Sequence, residues 1–166
     1  MTKAEKIQQV VKVAKEAQIN DDICARSVLV GLKTVFDEIP EEMITATMSL
    51  AGGTGGASGS CGAYCCGLMA VGLHYNAPLE AERANPALQQ IGALKFTEYR
   101  ERFMKEMGTV LCPDIQEKIF GRKYLLYDPE QHEEFLAMPG HNVKCAQVVG
   151  TATRIAAEMI LEGEED

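Results

Sequence analysis

Along the first fifty residues, apolar side chains recur at helical intervals with charged residues between them. Ile7, Val10, Val11 and Ala14 mark one short amphipathic face. Asp21 or Asp22 is placed to cap a second helix, where Cys24, Val28, Leu32 and Val35 form one apolar stripe. Pro40 ends that segment or opens the next, in which Met43, Ile44, Met48 and Leu50 are apolar. A glycine-rich loop follows, from Gly52 to Gly59. Ser58 or Ser60 is expected to cap a helix that contains Cys61 and runs to about Leu73, stopped at Asn76-Ala77-Pro78.

Residues 76–86 read as polar and loop-like, with room for one short turn. Leu88, Ile91, Phe96, Tyr99, Phe103 and Met107 mark a helix closed by Gly108. Pro113 suits the first turn of a short helix ending near Gly121, and Asp128-Pro129 opens another that Pro139-Gly140 breaks. The last helix is predicted from about Asn142 to Leu161, with Cys145, Val149, Ala152, Ala156 and Met159 on one face. Neither an internal repeat nor an alternating strand pattern interrupts this. The pattern predicts an all-α, single-domain helical bundle over residues 1–166, with a Gly-rich loop leading into a Cys-bearing helix. Residues 161–166 are expected to fray as an acidic tail.

Composition narrows the function. Hydrophobic residues make up 46% of the 166, enough for a sizeable core. The 24 acidic and 16 basic side chains leave a formal charge of −8, a surface that repels nucleic acid and anionic lipid. No 18-residue apolar run occurs, and the first residues lack the apolar stretch of a secretory signal. A cytoplasmic protein without membrane or nucleic-acid partners is expected.

Six cysteines are the outlier. In a reducing compartment they point to metal binding or redox chemistry rather than to a disulfide framework. Cys61 is expected in the first turn of its helix, where free amides favour a thiolate. Cys65 lies one turn on and on the same side, while Cys66 is rotated by about 100°, so two of the three can face one centre. A Cys65–Cys66 disulfide inside a helix would be badly strained. Cys24 and Cys145 fall near the starts of two helices, and Cys112 at the break before Pro113. If the bundle gathers these helix starts, soft ligands and positive dipole ends would meet, a setting suited to an anionic iron–sulfur centre. All six, Cys24, Cys61, Cys65, Cys66, Cys112 and Cys145, are therefore metal-ligand candidates. Cys61, Cys65 and Cys66 are candidates for thiol redox chemistry. Gly55, Gly56 and Gly59 are candidates to bring backbone amides close to a cofactor. Against this stands the plain alternative that single buried cysteines pack as small hydrophobes.

Other chemistries find no support. The loop lacks G-x-x-x-x-G-K-[ST] and a preceding strand, so no nucleotide is expected. No CxxCH exists, so haem c is not expected. The segment around His132 lacks the second histidine of a zincin. His74 reads as a dipole partner at a helix end. His141, four residues before Cys145, is kept as a minor ligand candidate.

The blocks "ICARSVLVGL" from Ile23 and "SCGAYCCGLMAVGL" from Ser60, followed by single cysteines at Cys112 and Cys145, resemble the C_GCAxxG_C_C family of redox-active proteins. The resemblance runs from about Cys24 to the last helix. It implies a helical fold and iron–sulfur binding. By position, Cys24 matches the first family cysteine, Cys61 the central one, and Cys112 and Cys145 the last two. Cys66 stands where a small residue is usual, and Cys65 is additional. Relatives include the cluster-bearing part of split-Soret cytochrome c, which implies a homodimer. The sequence reading is thus a redox protein that holds an iron–sulfur or other thiolate-ligated metal centre through Cys24, Cys61, Cys112 and Cys145, with Cys65 or Cys66 as a replacement for one of these or an extension of the site, for electron transfer or redox sensing. Its redox partner protein is unknown. One alternative is a metal-free thiol–disulfide oxidoreductase using Cys61 and Cys65, whose helix start would have to loosen. The other is a structural helical module.

Overall fold

A computed structural model describes residues 1–163. Among these residues there are nine helices of six residues or more and no extended strand. The first is α1 (Lys3–Asp21), opened by a reciprocal cap. The Thr2 hydroxyl accepts the Glu5 amide at 3.2 Å, and the Glu5 carboxylate accepts the Thr2 amide at 2.8 Å. Asp22, in the left-handed region at φ 54°, closes α1 instead of opening α2 (Cys24–Lys33). Its carboxylate is taken by the Gln18 amide and by His141, so the expected cap of α2 is absent and Ile23 begins that helix unaided.

After α3 (Glu41–Ala46) and a 3-10 turn, the glycine-rich loop leads into α4 (Gly62–Tyr75). A short α5 (Leu79–Ala84) and a further 3-10 turn occupy the stretch read as loop. Then come α6 (Gln89–Met107), α7 (Cys112–Phe120), α8 (Pro129–Ala137) and α9 (His141–Ile160). Gly108 and Gly121 end α6 and α7 with φ of 78° and 83°, the conformation that favours glycine. Asp128 caps α8 by accepting the Glu130 and Gln131 amides.

The centre of the bundle is α9, packed against α1, α2, α4 and α6. It is buried on most of its circumference, from Ala146 to Ile160. The expected stripe of α2 holds: Val28 and Leu32 are fully buried. On α6 the inward face is Tyr99, Phe103 and Met107, while Ile91 and Phe96 lie outside. Leu161 is buried in the core, and Glu162 pairs with Lys95 and Arg102. Residues 161 and 162 therefore do not fray as expected; residues 164–166 of that tail lie outside the described residues. A second, smaller apolar cluster of Tyr124, Leu126 and Phe135 forms under α7 and α8. No helix among the described residues is long and apolar enough to cross a membrane.

Candidate functional site

The glycine-rich loop is built to bring distant backbone segments together. Gly52, Gly53, Gly55 and Gly56 all have positive φ, which lets the chain turn tightly on itself. A Cβ at Gly53 would lie 2.7 Å from the Gly59 nitrogen, so a side chain there is excluded. Ser58, at φ 57°, does not cap α4. Its hydroxyl accepts the Leu126 amide at 2.9 Å and ties the loop to the second apolar cluster.

Two further bonds set the register. The Cys61 amide donates to the Val110 carbonyl at 2.8 Å, and the Cys112 amide donates to the Gly59 carbonyl at 2.8 Å. This one-residue antiparallel bridge, centred on Ser60 and Leu111, puts the Cys61 and Cys112 side chains on the same face. Cys61 is the N-cap of α4, not part of its first turn. At the next residue, Gly62, a Cβ would lie 3.0 Å from both the Cys24 sulfur and the Ala25 methyl, so α2 and α4 start in direct contact. Cys145 enters from the first turns of α9.

As a result, Cys24, Cys61, Cys112 and Cys145 line one cavity of about 140 Å³. Their segments are more than thirty residues apart in sequence. Cys24 and Cys61 belong to the main core, whereas Cys112 and Cys145 pack against the second cluster. The cavity is the seam between the two. Ile115, Ile119, Leu126, Phe135 and Val148 supply apolar wall, and Asp22, Gln116 and His132 also line it. His132 and Leu136 are exposed and mark its solvent side. Among the described residues, no three or more His, Cys, Asp or Glu side chains are disposed to hold a single metal ion.

The thiols are electrostatically unequal. Cys24 is lowered to about 7, chiefly because the Cys61 thiol donates to its sulfur; burial opposes this, and the amides of Gly52, Ala63 and Ala25 reinforce it. Cys61 moves in the opposite direction, raised first by that same bond to Cys24 and then by burial. Of this pair the lowered thiol is thus Cys24 and not the expected Cys61, with the Ala63 amide at the start of α4 a smaller contributor after Cys61 and Gly52. Burial pushes Cys112 up to about 12 and Cys145 higher still, with the Cys24 charge adding to both.

A raised thiol holds its proton more tightly in the fold than in the unfolded chain, whose thiols titrate near 9.0. The stability this gives is complete below that value and is lost as pH rises towards about 12. Cys24 acts oppositely: its contribution is complete above 9.0 and is lost as pH falls through about 7. The raised thiols outnumber it, so urea unfolding of the metal-free chain should show a midpoint that falls from mildly to strongly alkaline pH. A flat midpoint would contradict these directions.

Cys65 and Cys66 do not line the cavity. Cys66 is fully buried in the main core beside Thr47, and Cys65 is half-buried against that core. Burial is the first cause that raises both. The Cys65 amide donates to the Cys61 carbonyl at 3.0 Å, so the helix start that a Cys61–Cys65 disulfide would need to loosen is closed. Of the loop glycines, Gly52 reaches the cavity, whereas Gly55, Gly56 and Gly59 do not; Gly59 acts through its carbonyl on Cys112. Both ring nitrogens of His141 face other oxygens, Met138 carbonyl and Asp22 carboxylate, and His141 does not line the cavity. His74 pairs with Glu38. Gly52 and Gln116 are not site candidates in the sequence, and His132 is set aside there for want of a second histidine; the one signal is the i, i+4 spacing of Gln116 from Cys112.

Neither a curated protein nor a solved structure matches the chain significantly. A family profile does, over residues 23–159, a span that includes all four cysteines of the cavity. The chain belongs to the family described as "Putative redox-active protein (C_GCAxxG_C_C)".

Proposed function

We propose that Cys24, Cys61, Cys112 and Cys145 hold an iron–sulfur centre and that the protein transfers electrons or senses redox state. The observation that carries this reading is the convergence of these four sulfurs on one cavity. The donor set suits the group: four soft thiols, apolar walls, and backbone amides aimed at one of the sulfurs. When bound, such a centre supplies a one-electron couple. The chain's own part is to exclude water with Ile115, Phe135 and Val148, and to offset sulfur charge with the Gly52 and Ala63 amides. The side marked by His132 and Leu136 is where a redox partner would approach. Anaerobic reconstitution with iron and sulfide tests this: both should be incorporated, with a visible chromophore. Colourless protein with negligible iron would remove the reading.

The placing of Cys24 and Cys61 in one cavity, where α2 and α4 start in contact, favours a second reading, thiol–disulfide chemistry without metal. Here the pair is Cys24 and Cys61, not Cys61 and Cys65. Oxidised glutathione would take two electrons and two protons from the two thiols, forming one disulfide and releasing two reduced glutathiones. Non-reducing peptide mapping of metal-free protein so treated should find the Cys24–Cys61 link. A Cys61–Cys65 link would contradict the geometry.

A further inference from the structure

Gln116 is a polar side chain only 2% exposed, set among the apolar residues of the wall beside the four cysteines. It stands one turn after Cys112 on α7, and both ends of its carboxamide are engaged. The Tyr124 backbone amide donates to Oε1 at 3.0 Å, and Nε2 donates to the Cys112 sulfur at 3.5 Å. The orientation is not arbitrary. A backbone N–H can only donate, so the oxygen must face Tyr124 and the NH₂ must face sulfur. An NH₂ group cannot accept a hydrogen bond, so this contact is best satisfied by a sulfur bearing negative charge. Turning the amide round would set donor against donor at Tyr124, inside a buried site where an unmade bond is costly.

We propose that Gln116 is a positioning residue that fixes the Cys112 sulfur and raises the reduction potential of the centre it helps to hold. This rests on the iron–sulfur reading of the cavity. A hydrogen bond to a ligating sulfur draws off negative charge, which favours the reduced state with its extra electron. The second apolar cluster supports the arrangement, because Tyr124 is itself buried there and holds the carboxamide oxygen.

The test compares reconstituted wild type with Gln116→Met and Gln116→Glu. Iron and sulfide are measured first, then potentials by anaerobic titration at several pH values. Gln116→Met, similar in size but without a donor, should load as wild type does and titrate at a more negative potential. Gln116→Glu keeps an acceptor for Tyr124 but donates to sulfur only when protonated, so its potential should fall as pH rises. A loaded Met variant with the wild-type potential would overturn the proposal, as would a Glu variant whose potential matches wild type at every pH. If the Met variant fails to load, the Glu variant decides. Should neither load while wild type does, Gln116 only supports the fold and the tuning role is wrong. Should wild type itself take up no iron and sulfide, the iron–sulfur reading falls first and this proposal with it.

Discussion

Gly62→Ala should abolish loading of the proposed iron–sulfur site, although the residue carries no side-chain donor. Gly62 follows Cys61 directly and sits where α4 begins against the start of α2. A Cβ there would lie 2.5 Å from the Leu50 carbonyl oxygen, 3.0 Å from the Ala25 methyl and 3.0 Å from the Cys24 sulfur. None of these is the loose end of a long side chain. The backbone angles themselves suit alanine, since the glycine is not at positive φ, so the cost is one of space. To admit one methyl group the Leu50 carbonyl must shift and the Cys24 and Ala25 side chains at the start of α2 must give way, which moves Cys24 relative to Cys61 and disturbs the cavity. A destabilisation of about 2–3 kcal/mol is expected, a fall in melting temperature of roughly 5–10 °C for a chain of this size. Iron and sulfide content together with thermal unfolding check this. Wild-type loading in the Ala variant would show that the contact between α2 and α4 does not set the site.

The largest loss of stability is expected from Gly67→Ala, on the same helix but away from the cavity. Its Cβ would fall 1.9 Å from the Tyr99 hydroxyl oxygen and 2.7 Å from the adjoining ring carbon. Tyr99 is fully buried, held between Tyr64 and Phe103 with ring centroids 5.6 and 6.4 Å away. It cannot swing aside. The Ala variant should lose about 3 kcal/mol or more, the upper range for an overfilled core. Tyr99→Phe alone should cost little, because the hydroxyl makes only a long 3.4 Å bond to the Ala152 carbonyl. Combined with Gly67→Ala it should restore part of the loss, since the closest clash disappears and the ring carbon clash stays. Denaturant unfolding of the three variants measures this coupling. If the losses simply add, Tyr99 is not what excludes a side chain at position 67.

Much of this architecture could be read from local signals. Gly108, Gly121 and the Asp128-Pro129 pair mark helix ends by conformational preferences that act within a few residues. The buried stripe of α2 follows from its spacing alone. The order of the four cysteines directs attention to Cys24, Cys61, Cys112 and Cys145, but their meeting depends on contacts that leave little trace in sequence. Two backbone bonds between segments 59–61 and 110–112 are indifferent to side-chain identity, so no pattern announces them. Asp22 looks like a cap for α2 until His141, more than a hundred residues later, claims its carboxylate. Cys61 looks like the thiolate because it precedes a helix, yet its contact with Cys24 and its burial raise it while Cys24 is lowered. Gly52 reaches the cavity while Gly55 and Gly56 only turn the loop. Leu161 and Glu162 resemble the start of a solvated tail, but the core and the Lys95–Arg102 pair hold them. Each of these differences arises from tertiary packing overriding a local preference.

Serine substitution at each cysteine, followed by anaerobic reconstitution and analysis of iron, sulfide and visible absorption, bears most directly on the shared centre. Changing Cys24, Cys61, Cys112 or Cys145 one at a time should sharply reduce or alter the chromophore, whereas changing Cys65 or Cys66 should leave iron and sulfide at wild-type content. A chromophore that survives loss of Cys112 and Cys145 but disappears with Cys65 would contradict the account.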